Sequence, residues 1–274
     1  MRVSGCAGPK PILMSTKTER RAEEIMKRLL GQGEATVEDL VDLTGTSAPS
    51  VRRDLIGLES RGLIRRTHGG AALVEPLLYE PFRYDVSFQA REQRNAAQKR
   101  HIGLAAAELI HENEVIGLTA GSTTTQIGRA LRHRQGIQIV TNAINIAMEL
   151  CNQTGLRTYL LGGMVQHAWS FSLTGPHTGH LLDALYLDKL FIGGLGIDAQ
   201  RGITTIEYDE AETFRAMAAH AKTIIAVMDS SKIGVVKPAM ICPITQIKTL
   251  VTGVEASAEA IAPFAAAGVQ VIQA

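Results

Sequence analysis

The chain has 274 residues, enough for two domains, with 45% hydrophobic and 20% charged residues, a balance that supports packed cores and excludes a disordered chain. Its net charge of +1 hides a division: residues 1–70 carry 12 Lys+Arg against 9 Asp+Glu, whereas residues 71–274 carry 16 against 18, so a polyanion partner is suggested for the N-terminal part alone. No apolar run approaches the ~18 residues of a membrane span, the start has no secretory apolar core, and Cys6, Cys151 and Cys242 fit neither a disulfide framework nor a metal spacing.

A reducing cytoplasm is therefore the expected compartment. Residues 1–17 lack periodicity and hold Gly5, Gly8, Pro9 and Pro11, so they read as a disordered lead-in. From Thr18, the apolar residues Ala22, Ile25, Met26, Leu29 and Leu30 recur at helical steps until Gly31 and Gly33, which predicts a first helix. Thr36 with Asp39 resembles a capping box before Val37, Leu40 and Val41. Gly45 ends that second helix, and Ser47 is the expected cap of a third. Val51, Leu55 and Leu58 line its apolar face, and Gly62 closes it. Leu63-Ile64 and Ala71–Leu73 read as two short strands around an Arg65–Gly70 turn.

Three helices and a two-stranded turn spell a winged helix-turn-helix over residues 18–73. Ser47, Ser50, Arg52 and Arg53 lie near the start of the third helix, the part that meets base edges in such domains. Arginine suits paired hydrogen bonds to guanine, and serine can contact bases or phosphates. Arg65, Arg66, His68 and Gly69 place cations and open backbone on the wing tip, fit for phosphate. Double-stranded DNA is the expected partner; a solvated basic face on a helical interaction module is the plainer alternative.

Residues 74–90 hold Pro76, Pro81 and four of the chain's eleven Phe and Tyr, and read as a linker. Residues 91–274 alternate strand and helix. Buried strands are predicted at Val115–Leu118, Ile137–Val140, Thr158–Leu161, Lys189–Ile192, Thr223–Met228 and Ile247–Val251, with helices at Thr123–Arg132, Ala143–Cys151 and Asp209–Ala221. This is an α/β pattern with an open, mainly parallel sheet covered on both faces.

Ligands of such sheets gather outside the carboxyl ends of the strands. There the sequence sets Gly121, Ser122, Thr123 and Thr124, a turn into a helix that forms an anion cradle. Thr141-Asn142, Gly162-Gly163, Gly194, Asp198 and Lys232 follow other strands. Lys232 can neutralise a phosphate, and Asp198 or Glu210 can accept sugar hydroxyls. Each of these alone also suits a plain turn, helix cap or solvated loop. The P-loop lysine and the dinucleotide glycine spacing are lacking, so neither a nucleotide cofactor nor a metal is expected.

The run SVRRDLIGLESRGLIRRTHGGA at residues 50–71 resembles the signature of the DeoR family of bacterial transcriptional regulators. The likeness rests on Arg52-Arg53-Asp54-Leu55 and His68-Gly69-Gly70-Ala71, and implies that Arg52 and Arg53 face DNA. Asp54 either orients a neighbouring arginine or sits on the helix surface. The resemblance continues through Arg91, Asn95 and Lys99, read as one helix face, through the Gly-Ser-Thr-Thr loop, and through Ser172 with Gly175, Gly202, Glu210-Ala211 and Asp229–Lys232. It implies an effector domain folded like ribose-5-phosphate isomerase that senses phosphorylated sugars or related metabolites. By the same resemblance Ser172 joins the effector residues, and the role is repression of a carbohydrate-use operon. A homodimer or homotetramer is expected, since paired recognition helices read half-sites. Thr119 stands where the family commonly has an acidic residue, and Gly193–Gly196 departs from the family's run. The alternative is an isomerase-like enzyme with Asp198, Glu207, Asp209 or Glu210 as base and Lys232 as polarising group. Trp169 and Phe171 can wall the ligand site or pack in a core.

Overall fold

The computed structural model describes residues 16–60, 63–73, 86–165 and 171–274. Two compact units part between Leu73 and Val74. The expected lead-in falls outside the described residues except at its end, where helix α1 (Thr16–Gln32) starts.

The first unit continues with β1 (Glu34–Thr36), α2 (Val37–Thr44), α3 (Ala48–Ser60), β2 (Ile64–Thr67) and β3 (Gly70–Leu73). Ile25, Met26 and Leu29 of α1 meet Leu40 of α2 and Val51, Leu55 and Leu58 of α3 in a core with almost no solvent access. The helical spacing of these residues is what puts them on facing stripes. The capping box forms: the Asp39 N–H donates to Thr36 Oγ1 at 3.1 Å, and the Thr36 N–H to Asp39 Oδ2 at 3.0 Å. Ser47 stands at the expected cap position, directly before α3. Its hydroxyl lies 3.1 Å from that of Ser50, and its carbonyl accepts the Val51 N–H.

The unexpected strand is β1, which pairs antiparallel with β3, so the sheet order is β1-β3-β2. Gly70 explains why glycine is needed there. A Cβ on it would stand 2.3 Å from the Ala35 carbonyl oxygen.

The second unit begins, in its described part, with α4 (Val86–Gln93), which starts inside the stretch read as a linker, and α5 (Ala96–Ala107). Then come β4 (Val115–Leu118), α6 (Ser122–Ala130), β5 (Ile137–Thr141), α7 (Ile144–Leu150), β6 (Leu156–Leu160), β7 (Met164–Val165), β8 (Leu173–Thr174), α8 (Thr178–Leu182) and β9 (Lys189–Ile192). The remainder is β10 (Gly196–Asp198), β11 (Gly202–Thr205), α9 (Tyr208–Ala219), β12 (Ile224–Val227), β13 (Ala239–Cys242), β14 (Ile247–Thr252), α10 (Ala258–Ala266) and β15 (Gln270–Gln273).

Seven strands form one sheet in the order β15-β14-β12-β9-β4-β5-β6, every neighbouring pair parallel. The six predicted strands all lie in it. The apolar runs of five are largely buried, as a sheet covered on both faces requires; β6, expected to be buried, is instead an edge strand with Leu160 exposed. A small antiparallel sheet, β10-β11-β13, and the pair β7-β8 were not foreseen. The chain moves outward from β4 through β5 to β6, then returns across β4 to β9. The order therefore reverses between β4 and β9, which opens a crevice outside their carboxyl ends.

Candidate nucleic-acid interface and anion cleft

On α3 the Arg-Arg-Asp-Leu run divides by burial. Arg52 and Arg53 are exposed, whereas Asp54 and Leu55 are buried. Asp54 is not on the helix surface; it pairs with an arginine, one distant in sequence. Its carboxylate is held by Arg21 of α1, through Nε to Oδ2 and through Nη2 to Oδ1 at 2.9 Å, so it fastens α3 to α1 and leaves the outer face to the arginines. On the wing, Arg65, Arg66, His68 and Gly69 are exposed, and Gly69 adopts φ 95°, a turn conformation open to glycine. The Arg66 N–H and Nε both donate to Glu59, at 3.0 and 2.5 Å. Those bonds hold the Glu59 carboxyl below its ordinary range.

In the second unit, a cleft of about 950 Å³ including its mouth opens at the crevice. Gly121, Ser122, Thr123 and Thr124 line it, with Gly194, Glu210 and Lys232. No side chain caps the start of α6. The hydroxyls of Thr124 and Thr125 turn back to the Gly121 carbonyl at 2.9 and 2.8 Å, so the first-turn N–H groups keep their partial positive charge for a ligand.

Four cations share this cleft: Arg91, Arg94, Lys99 and Lys232. Three of them were not among the predicted site residues. Burial pushes the Lys99 ammonium down to about 8, against the pull of Asp229 and with the repulsion of Lys232 and Arg91. Burial also lowers Lys232, opposed by Asp229 and reinforced by Arg94 and Arg91. Burial alone would raise the Asp229 carboxyl. Hydrogen bonds from Ser231 and Asn95, with the charges of Lys99 and Lys232, hold it below its ordinary value instead. An anion entering here relieves mutual repulsion among desolvated cations.

Arg91, Asn95 and Lys99 do not share one helix face. Asn95 has φ 56° and breaks the chain between α4 and α5. Lys99 Nζ then reaches back to donate to the Arg91 carbonyl, while Asn95 Nδ2 donates to Asp229 Oδ1 at 2.8 Å.

Thr141, Asn142, Gly162, Gly163, Ser172 and Asp198 stand outside the cleft lining. Thr141 Oγ1 donates to the Leu118 carbonyl and accepts the Ala143 N–H, at 2.7 and 3.0 Å. Asn142 is fully buried; its Oδ1 accepts the Ala120 N–H at 2.9 Å, and its Nδ2 donates to Ser172 Oγ at 2.8 Å. These residues hold the β4–α6 loop from behind. Gly163 has φ 146°, and a Cβ there would meet the Thr174 carbonyl oxygen at 2.5 Å. Asp198 accepts the Gln200 and Arg201 N–H groups at 2.9 and 3.0 Å, which closes the β10–β11 turn. Gly162 has open space about it. Thr119 is buried and accepts the Gly193 N–H at 3.1 Å, joining the two sides of the crevice.

Glu207 joins Glu210 on the opposite wall, where Thr205 Oγ1 donates to Glu210 Oε2 at 2.8 Å. Leu195, Ile206, Phe214 and Met228 add apolar surface. Trp169 lies outside the described residues. Phe171 packs edge-on against Phe88, ring centres 5.0 Å apart, and is not in the cleft lining. Among the described residues no helix is long and apolar enough to cross a membrane, and no three His, Cys, Asp or Glu side chains gather to hold a metal ion.

Residues 21–76 match the DeoR-like helix-turn-helix domain, and residues 94–254 match the DeoR C terminal sensor domain. The chain belongs to the DeoR family. It is similar to the HTH-type transcriptional repressor GlcR of Bacillus subtilis (strain 168), 32% identical over 85% of this chain and 88% of that protein. It is also similar to the HTH-type transcriptional regulator GlpR of Haloferax volcanii, 31% identical over 95% and 98%. Ribose 5 phosphate isomerase A from Neisseria gonorrhoeae is 16% identical over 53% of this chain and 55% of that one, with a TM-score of 0.36, a likeness too slight to carry an argument. The DeoR helix-turn-helix match takes in the exposed Arg52, Arg53, Arg65 and Arg66, and the sensor match takes in most of the cleft.

Proposed function

We propose that this DeoR-family chain is a DNA-binding transcriptional repressor of a carbohydrate-use operon, controlled by a phosphorylated sugar held in the cleft. One observation carries the ligand class: four cations and an uncapped helix start line one cleft, an arrangement suited to a phosphate dianion. The opposite wall, with Glu207, Glu210 and Thr205, supplies acceptors for hydroxyls of the sugar. The repressor role follows the family and the name of the GlcR repressor to which the chain is similar.

DNA is read by α3, with Arg52 and Arg53 toward base edges and the wing toward phosphates. Ser47 and Ser50 sit beside them at the start of the helix. A homodimer or homotetramer in the cytoplasm would present two such helices to an operator. The chain performs no catalysis in this reading. The carboxylates of Glu207 and Glu210 beside the cations favour the isomerase alternative enough to merit assay.

The deciding experiment is thermal shift with phosphorylated sugars and their unphosphorylated parents. A true ligand raises the melting temperature by mass action, and the phosphate must be required. A shift that survives Lys232→Ala would refute the placement of the anion. Turnover of a pentose or hexose phosphate would replace regulation by catalysis.

A further inference from the structure

The cleft has one wall unlike the rest. Gly121, Gly193 and Asp229 follow strands of the sheet, but Arg91 comes from the last turn of α4, Arg94 from the turn after it, and Lys99 from α5. Between them lies Asn95, a non-glycine residue at φ 56°. Such a conformation persists only where the surroundings fix it, and here the fixing bond is Asn95 Nδ2 to Asp229 Oδ1 at 2.8 Å.

The geometry points to Asn95 as the positioning residue that makes the direction of α4 depend on an anion in the cleft. The inference rests on the reading of the cleft as an anion site.

The last turn of a helix leaves carbonyl oxygens without partners. Lys99 Nζ supplies one, donating to the Arg91 carbonyl, where a cation also suits the helix dipole. A phosphate oxygen is a stronger acceptor for an ammonium than a carbonyl is. An anion among Arg91, Arg94, Lys99 and Lys232 therefore competes for the group that caps α4. It also draws on side chains from both sides of the break. Away from the cleft, α4 is held by Glu92, which pairs with Arg129 at 2.6 Å, and by Phe88 against Phe171. Capping and ligation thus share Lys99, and the break at Asn95 is the joint about which α4 can turn. In sequence, α4 is also the first described element after the helix-turn-helix unit. The anion shifts α4 only by its different affinity for the two arrangements.

The test is hydrogen exchange on the full chain with inorganic phosphate, against sodium chloride of equal ionic strength. The amides of Ser122–Thr124 report the anion itself. Those of α4, and the Arg94 N–H that donates to the Ala90 carbonyl at 3.1 Å, report the joint. Phosphate is expected to protect the loop and to change α4 exchange about fivefold or more. In Asn95→Gly, which keeps the backbone conformation accessible but deletes the bond to Asp229, loop protection stays and the α4 response falls below about twofold. Asn95→Ala, neutral and without the donor to Asp229, gives the same result should the glycine variant fold poorly. Loop protection without any α4 response in the unmodified chain overturns the inference and leaves the ligand reading intact. So does an unchanged α4 response in both variants. No protection of the loop removes the anion site and this inference with it.

Discussion

Asp54 of the third helix is bonded through both carboxylate oxygens to Arg21 of the first helix, 33 residues earlier in the chain. The acid inside the arginine run is thus a rivet between helices. Removing it strands a partly buried guanidinium. Asp54→Ala is expected to cost about 2–3 kcal/mol, since breaking buried pairs is costly and Arg21 keeps some solvent. Thermal melting of the full chain should show the helix-turn-helix transition lowered by about 10 °C or more. A drop of a degree or two would mean that the pair is ornamental.

Arg53 and Arg66 should fail differently. Arg53→Ala is expected to relax sequence discrimination, while Arg66→Ala weakens every duplex alike. Because Glu59 now shares the Arg66 charge, Glu59→Gln should tighten binding to all sequences and steepen its salt dependence by about one counterion. Electrophoretic or anisotropy titrations on operator and random DNA at several salt concentrations separate these outcomes. Equal losses on every DNA for both arginine variants would defeat the division of roles.

How much of this was legible beforehand varies with the range of the contact involved. The six long parallel strands and the loop into α6 were written in apolar runs and local turn chemistry. Strand β1 was not, because Ala35 is its single buried residue and its pairing with β3 is decided 36 residues away. The break at Asn95 was invisible because asparagine there leaves the helical spacing of Arg91 and Lys99 intact. Asn142 and Asp198 looked like ligand groups, since a polar residue after a strand has the same sequence signature whether it faces a cavity or a backbone amide. Arg94 and Glu207 carried no motif, and only the closure of the cleft brings them together.

The pH dependence of ligand binding has a definite sign. Burial favours the neutral amine of Lys99, so its charge is lost as pH rises through about 8. A phosphate is already mostly dianionic at pH 7. Its affinity should therefore fall between pH 7 and pH 9, by up to about tenfold for one lost ammonium. Lys99→Arg, always charged, should flatten that fall. Calorimetric titration at three pH values reads it directly, and an affinity that rises with pH would contradict the assignment.

Glu207 gives a simpler electrostatic test. It is the N-cap of α9 yet makes no capping bond, and it lines the cleft. Glu207→Gln removes a negative charge from the site of a dianion while keeping size and acceptor. Binding of inorganic phosphate should tighten by about two- to tenfold, the range set by a charge across a partly solvated cavity. Weaker binding would show that the Glu207 charge does not oppose the anion and would contradict the reading.

Asn142→Leu should lower the melting temperature of the sensor domain. It removes the acceptor of the Ala120 N–H and the donor to Ser172, at about 1–3 kcal/mol for each buried group left unmade. A variant of wild-type stability would show that the loop supports itself.

The link from the Gly193 N–H to Thr119, and that from the Ala120 N–H to Asn142, anchor the cavity floor on main chain and on hidden polar groups. Arg94, Leu195 and Glu207 line the cleft with side chains outside these links. Exchanges at positions 94, 195 and 207 can therefore retune which metabolite is accepted while the floor stays fixed. A scaffold of this kind lends itself to diversification by gene duplication and to the engineering of new sensors.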